Sequence, residues 1–273
     1  MSSIVIKGDT SGQIEIAAPA VAGSTTLTLP TGSGDFITAD SSGNVNIDSG
    51  TLYVDATNNR VGVGTSSPTN NLQIYNSGAT SGQIHITNSS TGATATDGVL
   101  FGYDGSNDVL INNQEATAMK FNNNGSERMR IDSSGRVTMP YQPSFKATQS
   151  GGQINSNNVS LIWSDTTTAG GHNVGNHYNT STGVFTAPIN GIYQFNFAML
   201  TNNAASSNTY VAVYWMINGT FRHYAAHNHT GTWIMESGSP AFKLSANDTV
   251  SLLLALGSGH YGTYSYFSGY LVG

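Results

Sequence analysis

Apolar and polar residues alternate along much of this chain, most densely at 192–200, where Tyr193, Phe195, Phe197 and Met199 fall on one face and Gln194, Asn196 and Ala198 on the other. A period of two belongs to a strand with one face in a core. Gly191 closes the loop before this run and Pro188 breaks the run preceding it, so 184–186 and 192–200 are predicted as separate strands. A later run, 210–217, is apolar on both faces: Val211, Val213, Trp215 and Ile217 on one, Tyr210, Ala212, Tyr214 and Met216 on the other. The first set is expected to fill a sandwich. The second is expected to form a trimer interface, because a large apolar patch on a soluble monomer is a liability. A central strand in a larger monomeric sandwich is the alternative.

Before position 140 the alternation is cut into short units. Ser42-Gly43-Asn44-Val45-Asn46-Ile47, Asn59-Arg60-Val61-Gly62-Val63 and Ser134-Gly135-Arg136-Val137-Thr138-Met139 each set a turn pair ahead of an alternating strand. Ser81-Gly82-Gln83-Ile84-His85-Ile86 echoes Ser11-Gly12-Gln13-Ile14-Glu15-Ile16, and part of it returns at Gly152-Gln153-Ile154. Single hairpins are marginal in water. Three chains wound about one axis would bury their apolar faces, which predicts a fibrous β-shaft in an intertwined homotrimer. Only six of the 26 Phe, Tyr and Trp residues precede position 141, so the first half lacks the aromatic bulk of a thick core of its own. Charged residues make up 9% of the chain, against about 25% in an average globular protein. The alternative for so uncharged a Gly- and Ser-rich segment is a disordered linker.

The spacing of Asn173, Tyr178, Phe185, Gly191, Tyr193, Phe195 and Phe197 resembles the signature of the C1q-like domain, in the C1q and tumour-necrosis-factor superfamily. The resemblance implies a ten-strand jelly roll. Residues 244–252 are similar to that family's late strand pair, and Tyr266-Phe267-Ser268-Gly269-Tyr270-Leu271 to its closing strand; Thr167 and Asn247 depart from an aromatic and a glycine. The likeness covers 143–273. A second set, Arg60-Val-Gly-Val-Gly-Thr-Ser-Ser-Pro68, Leu100-Phe-Gly-Tyr-Asp-Gly-Ser-Asn-Asp108 and Glu127-Arg-Met-Arg-Ile-Asp-Ser-Ser-Gly135, resembles repeats of bacteriophage tail-fibre and other virion fibre proteins. Ser3-Ile4-Val5-Ile6-Lys7-Gly8 and Thr25-Thr26-Leu27-Thr28-Leu29-Pro30 are similar to their attachment ends.

Together the two resemblances imply an all-β chain with a virion-attachment segment at 1–40, a repetitive β-shaft at 41–140 and a C1q-like head at 141–273. They imply a homotrimer assembled in the host cytoplasm and held by its N-terminus to other tail or baseplate proteins of a virion. The head would bind host surface glycan or lipopolysaccharide during adsorption. A structural head or neck fibre without a receptor is the second reading, and a glycan-depolymerising tailspike the third.

The net charge of −6 and a pI near 5.5 disfavour nucleic acid, whose phosphates call for a basic stripe. The longest aliphatic run, 252–256, is too short to cross a bilayer, and no leader pattern opens the chain, so no membrane insertion is expected. Absence of cysteine leaves stability to packing and assembly. With the last strand returning to the shaft end, as the C1q-like resemblance implies, counting strand directions puts 201–207, 230–239 and 257–262 at the free apex of the head. Scaffolded loops concentrate binding residues, which nominates Asn202, Asn203, Trp233, His260 and Tyr261 as receptor contacts, rings for sugar faces and amides for hydroxyls. Offsets of four and two put His223, His227 and His229 on one strand face. His227 and His229 from three chains could then hold an axial transition metal, although metal-free surface histidines are the commoner outcome. Asp104-Gly105-Ser106-Asn107-Asp108 reads foremost as a turn, since it lacks the ligands of a calcium loop. No Ser/His/Asp or Cys/His set is spaced for catalysis, and the chain is expected not to be an enzyme.

Overall fold

A computed structural model describes residues 3–7, 13–17, 39–47, 50–78, 81–149, 151–202, 210–227, 233–262 and 265–273. Every named element among them is a β-strand. The chain divides into two compact units, 1–115 and 116–273.

The first unit is a series of small sheets made of sequence neighbours. Strands β1 (Ser3–Lys7) and β2 (Gln13–Ala17) pair antiparallel. β3 (Val45–Ile47), β4 (Leu52–Asp55), β5 (Arg60–Val63) and β6 (Leu72–Ile74) form a four-stranded sheet whose last pair is parallel. That parallel return brings β6 close against β5, and a Cβ on Gly64 (φ 77°) would lie 2.1 Å from the Tyr75 carbonyl oxygen. The Gly62-Val63-Gly64 motif is therefore a requirement of packing. β7 (Gly82–Ile86), β8 (Val99–Tyr103) and β9 (Val109–Asn113) make a three-stranded meander. In the second unit β10 (Met119–Asn123), β11 (Ser126–Ile131) and β12 (Val137–Thr138) make another.

One turn is reused three times. Asp40, Asp104 and Asp132 each accept two backbone N–H groups on Oδ1, from Ser42 and Asn44, Ser106 and Asp108, and Ser134 and Arg136. The fourth residue of each turn, Gly43, Asn107 or Gly135, takes the left-handed conformation at φ 83°, 66° and 81°, which Gly and Asn tolerate. The repeats thus express hairpin chemistry. These strands pair with neighbours along the chain, and nothing in their pairing shows an intertwined shaft.

The head is a two-sheet, jelly-roll-like sandwich. In chain order its strands are β13 (Ser144–Thr148), β14 (Gly152–Ile154), β15 (Val159–Ser160), β16 (His172–Val174), β17 (Tyr178–Asn179), β18 (Val184–Thr186), β19 (Gly191–Asn202), β20 (Ala212–Ile217), β21 (Thr220–His227), β22 (Ile234–Gly238), β23 (Ala241–Leu244), β24 (Thr249–Leu256), β25 (Ser258–Tyr261) and β26 (Tyr266–Leu271). One sheet runs β14-β25-β19-β26-β13-β16, with β22 and β23 also on β19; the other runs β17-β18-β24-β20-β21, with β15 on β24. Breaks divide the ten expected strands into more segments. Ser239 and Pro240 separate β22 from β23, which pair with successive stretches of β19. Gly257, at φ 92° and too close to Val211 for any Cβ, turns β24 of one sheet into β25 of the other.

β19 is the axis of the head, and its core-facing Tyr193, Phe195, Phe197 and Met199 are all buried as expected. Phe145 stacks on Tyr178 at 4.5 Å between ring centroids and meets Phe267 edge-on at 4.9 Å. Each fully buried ring of this kind stabilises by roughly 1.5–3 kcal/mol relative to exposure. Asn173 clips the chain around the stack: its amide donates to the Tyr178 carbonyl and its carbonyl accepts the Tyr178 N–H, at 2.8 and 3.2 Å. Asn247, in the place of a glycine, takes φ 73°. Thr167, in the place of an aromatic, donates to Asp165, as does Thr168; these hydrogen bonds hold the Asp165 carboxyl well below the usual carboxylate range.

The ends of the sandwich follow from the pairing. Ser144 lies opposite Tyr270, so the last strand returns to the end where the chain comes in, called proximal below. The Asn218-Gly219 turn is fastened there, since Asn218 donates to Asp248 at 2.8 Å. β19 runs from that end to the distal one, where Asn202 pairs with Ser258.

Candidate functional site

β20 sends Val213 and Trp215 into the core, where both are buried. Its other face is only partly covered. Tyr214 packs edge-on against Phe221 and Tyr224 of β21 at 4.7 and 5.2 Å, and those two rings stand 5.5 Å apart. Phe221 and Tyr224 are exposed, with half-buried Met216 beside them. Burial and the neighbouring Tyr224 raise the Tyr214 hydroxyl above its usual pKa. Three rings thus stand together on the outer surface of a sandwich whose interior is filled.

Four residues were expected to form the interface, and they differ. Tyr214 and Met216 lie on this outer face; Tyr210 is half-buried just ahead of the strand. Ala212 is fully buried within the single chain and offers a partner no surface. Phe221 and Tyr224 were missed for a definite reason. The register of β21 shifts twice against β20, pairing Met216 with Phe221, Trp215 with His223, Tyr214 with Tyr224 and Val213 with Ala226. Bulges at Arg222 and Ala225 put residues three apart on one face.

The same bulges take His223 out of the expected histidine row. The second lies between His223 and His227, so an offset of four no longer keeps parity along β21. His223 contacts the ring of Phe242 at 5.4 Å. His227 ends the strand and His229 lies outside the described residues. Among the described residues no three His, Cys, Asp or Glu side chains gather as a metal set. The Asp104 carboxylate closes its own turn.

At the distal end the expected contacts separate. Trp233 is 43% exposed, holds φ 50°, and meets the His260 ring edge-on at 5.8 Å. Tyr261 is 7% exposed: its hydroxyl accepts the Ile162 N–H at 2.8 Å and its ring packs on Trp163. Burial pushes its pKa up. Tyr261 is therefore a core residue and not a direct contact. The expected loop at 257–262 failed because β25 pairs on both sides, with β14 and β19. Asn202 is in β19, and Asn203 lies outside the described residues. Near β13 and β26 an open cleft of about 280 Å³ is lined by Lys146, Thr148, Thr168, Ser265 and Tyr266, with Lys146 donating to the Ala169 carbonyl.

Known proteins were compared with this chain. The C1q domain family model matches residues 144–272. Complement C1q tumor necrosis factor-related protein 3 of Homo sapiens and of Mus musculus are each 32% identical over 119 residues, 42% of this chain and 45% of the relative. The match thus spans less than half the length of either relative. Among solved structures, the globular domain of a zebrafish complement 1qA protein covers 48% of this chain and 98% of its own length at 16% identity and TM-score 0.33; Eiger TNF from S. frugiperda covers 48% and 93% at 9% and 0.36. The human and mouse relatives overturn the expected placement on a virion. The motifs behind that expectation are short turn-and-strand units, which recur wherever hairpins need Asp, Ser, Gly and Asn at fixed positions. C1q domains are modules associated with trimers and often with the binding of receptors or ligands. Residues 144–272 of this chain are thus similar to a C1q domain.

Proposed function

We propose that this chain is a homotrimeric, non-enzymatic binding module, whose C1q domain assembles through the outer face of β20 and β21 and presents its distal end to a hydroxyl-rich ligand such as a glycan. The observation that carries this reading is the cluster of Tyr214, Phe221 and Tyr224, exposed on a sandwich whose interior is already filled. Three-fold association of such a face buries rings that a monomer leaves in water. Size-exclusion chromatography with light scattering should return three times the single-chain mass of 28.6 kDa. Tyr214→Arg should shift the protein to monomer at micromolar concentration, and a wild-type chain that is already monomeric there sinks the assembly.

For the ligand, the argument rests on Trp233. A bulky aromatic in the left-handed region costs about 1–3 kcal/mol, and here the ring is held half in solvent beside His260. An exposed indole stacks on the apolar face of a sugar ring. Binding on a glycan array should fall at least tenfold in Trp233→Ala while the oligomer stays intact. Unchanged binding to every glycan the wild type recognises would remove Trp233 from the site.

A further inference from the structure

The described sheets of the first unit from Val45 onward have apolar residues in plenty and no apolar core among the described residues. Across 39–47, 50–78 and 81–115 no Val, Ile, Leu, Phe or Tyr side chain is buried; the buried positions are Gly50, Asp55, Gly62, Pro68 and Gly98. The cause lies in the registers. In the β7-β8-β9 sheet Ile84 lies opposite Phe101 and Phe101 opposite Ile111, while Tyr103 joins Val109 and Ile86 joins Val99. Directly opposed residues share a face, so one side of this sheet carries Ile84, Ile86, Val99, Phe101, Tyr103, Val109 and Ile111 with Gly82 and Asn113 at its margin, and the reverse carries Gln83, His85, Leu100, Leu110 and Asn112. The apolar side is the exposed one. Ile84, Ile86, Phe101, Tyr103, Val109 and Ile111 are 40–74% exposed.

The four-stranded sheet repeats the arrangement. Val45, Val54, Val61 and Leu72 form one row across its strands and Ile47, Leu52, Val63 and Ile74 the next, all on one face. None of the eight is buried. Leu72 and Ile74 line an open groove of about 250 Å³ together with Ile84, Phe101 and Tyr103, so the two apolar surfaces adjoin.

We infer that these faces are covered by the same faces of further copies of this chain, so that the core of the first unit exists only between subunits. This rests on the homotrimer proposed above. A trimeric head tethers three identical apolar sheets at high effective concentration, where association needs no strong intrinsic affinity. The exposed area fits as well. The six side chains of one sheet leave on the order of 600 Å² of apolar surface, the upper end of what soluble monomers expose, and the neighbouring sheet brings it toward the roughly 800 Å² per partner of a stable interface. No charge lies in the two apolar grids to select an unlike partner, and equivalent positions meet around a symmetry axis.

The absence of native cysteine gives a direct test on the full chain. Ile111→Cys sits on the apolar face, and Ser106→Cys, in the exposed turn between β8 and β9, is the reference. In the light-scattering trimer, mild oxidation should join chains through Ile111→Cys, and a charged maleimide should label it at least tenfold more slowly than Ser106→Cys. A trimer in which both positions label at one rate and neither cross-links overturns this inference and leaves the head assembly standing. A monomer with both positions freely labelled overturns both. Protection of Ile111→Cys without cross-linking assigns the face to another occupant and also overturns the inference. A Phe101→Asp, Ile111→Asp double variant should free the reference rates at position 109 when carried on Val109→Cys, while the head still trimerises.

Discussion

The residue that most repays attention in the head is Tyr178. Its hydroxyl donates to the Trp163 carbonyl at 3.0 Å and accepts the Trp163 N–H at 3.2 Å, and burial lifts its pKa well above the usual phenol value. Tyr178→Phe keeps the ring stack on Phe145 and leaves both Trp163 backbone groups without that partner. An unsatisfied buried group costs about 1–3 kcal/mol, so the urea midpoint should fall by the corresponding amount with an unchanged slope. A variant as stable as wild type would mean that water replaces the hydroxyl. The sequence identified Tyr178 and Asn173 as a spaced pair and Phe195 and Phe197 as core. It did not reveal that Asn173 grips the Tyr178 backbone at both ends, because a spacing carries no direction for a side-chain amide.

At the scale of elements, the Asp-centred turns set the hairpin registers, and they bring a pH dependence. Hydrogen bonds from the turn itself hold the carboxyls of Asp40 and Asp132 below the ordinary value of 3.8, and Asn218 does the same for Asp248 at the proximal end. A carboxyl whose folded pKa is depressed adds stability that is fully present above the unfolded value and is lost as pH falls through the folded one. The thermal midpoint should therefore stay level down to about pH 5 and drop between about pH 4 and pH 2. Asp132→Asn should lessen that drop; a midpoint independent of pH in this range would show that the turns contribute nothing. These turns were legible in the sequence because Asp, Ser and Gly at fixed offsets determine local backbone shape. The bulges of β21 were not. Each depends on how β20 and β21 align across a gap, and no residue within β21 announces it.

Across the whole molecule, the two units use apolar residues in opposite ways. The head encloses its rings between two sheets within one chain, and the first unit turns its aliphatic rows outward. In the assembly proposed above, both the outer aromatic face of the head and the sheet faces of the first unit meet other subunits, so assembly and stability are expected to be one equilibrium rather than two.

The sequence by itself determined the all-β class, the hairpin turns and the inward face of β19, since each is written in local propensity, spacing or a period of two. Only the tertiary structure decided that Tyr261 and Ala212 are interior, that Phe221 and Tyr224 share a surface, and that the apolar rows of the first unit have no cover among the described residues. Those outcomes depend on which strand lies beside which, and in what register. Two residues far apart in the chain acquire that relation only when the sheets close.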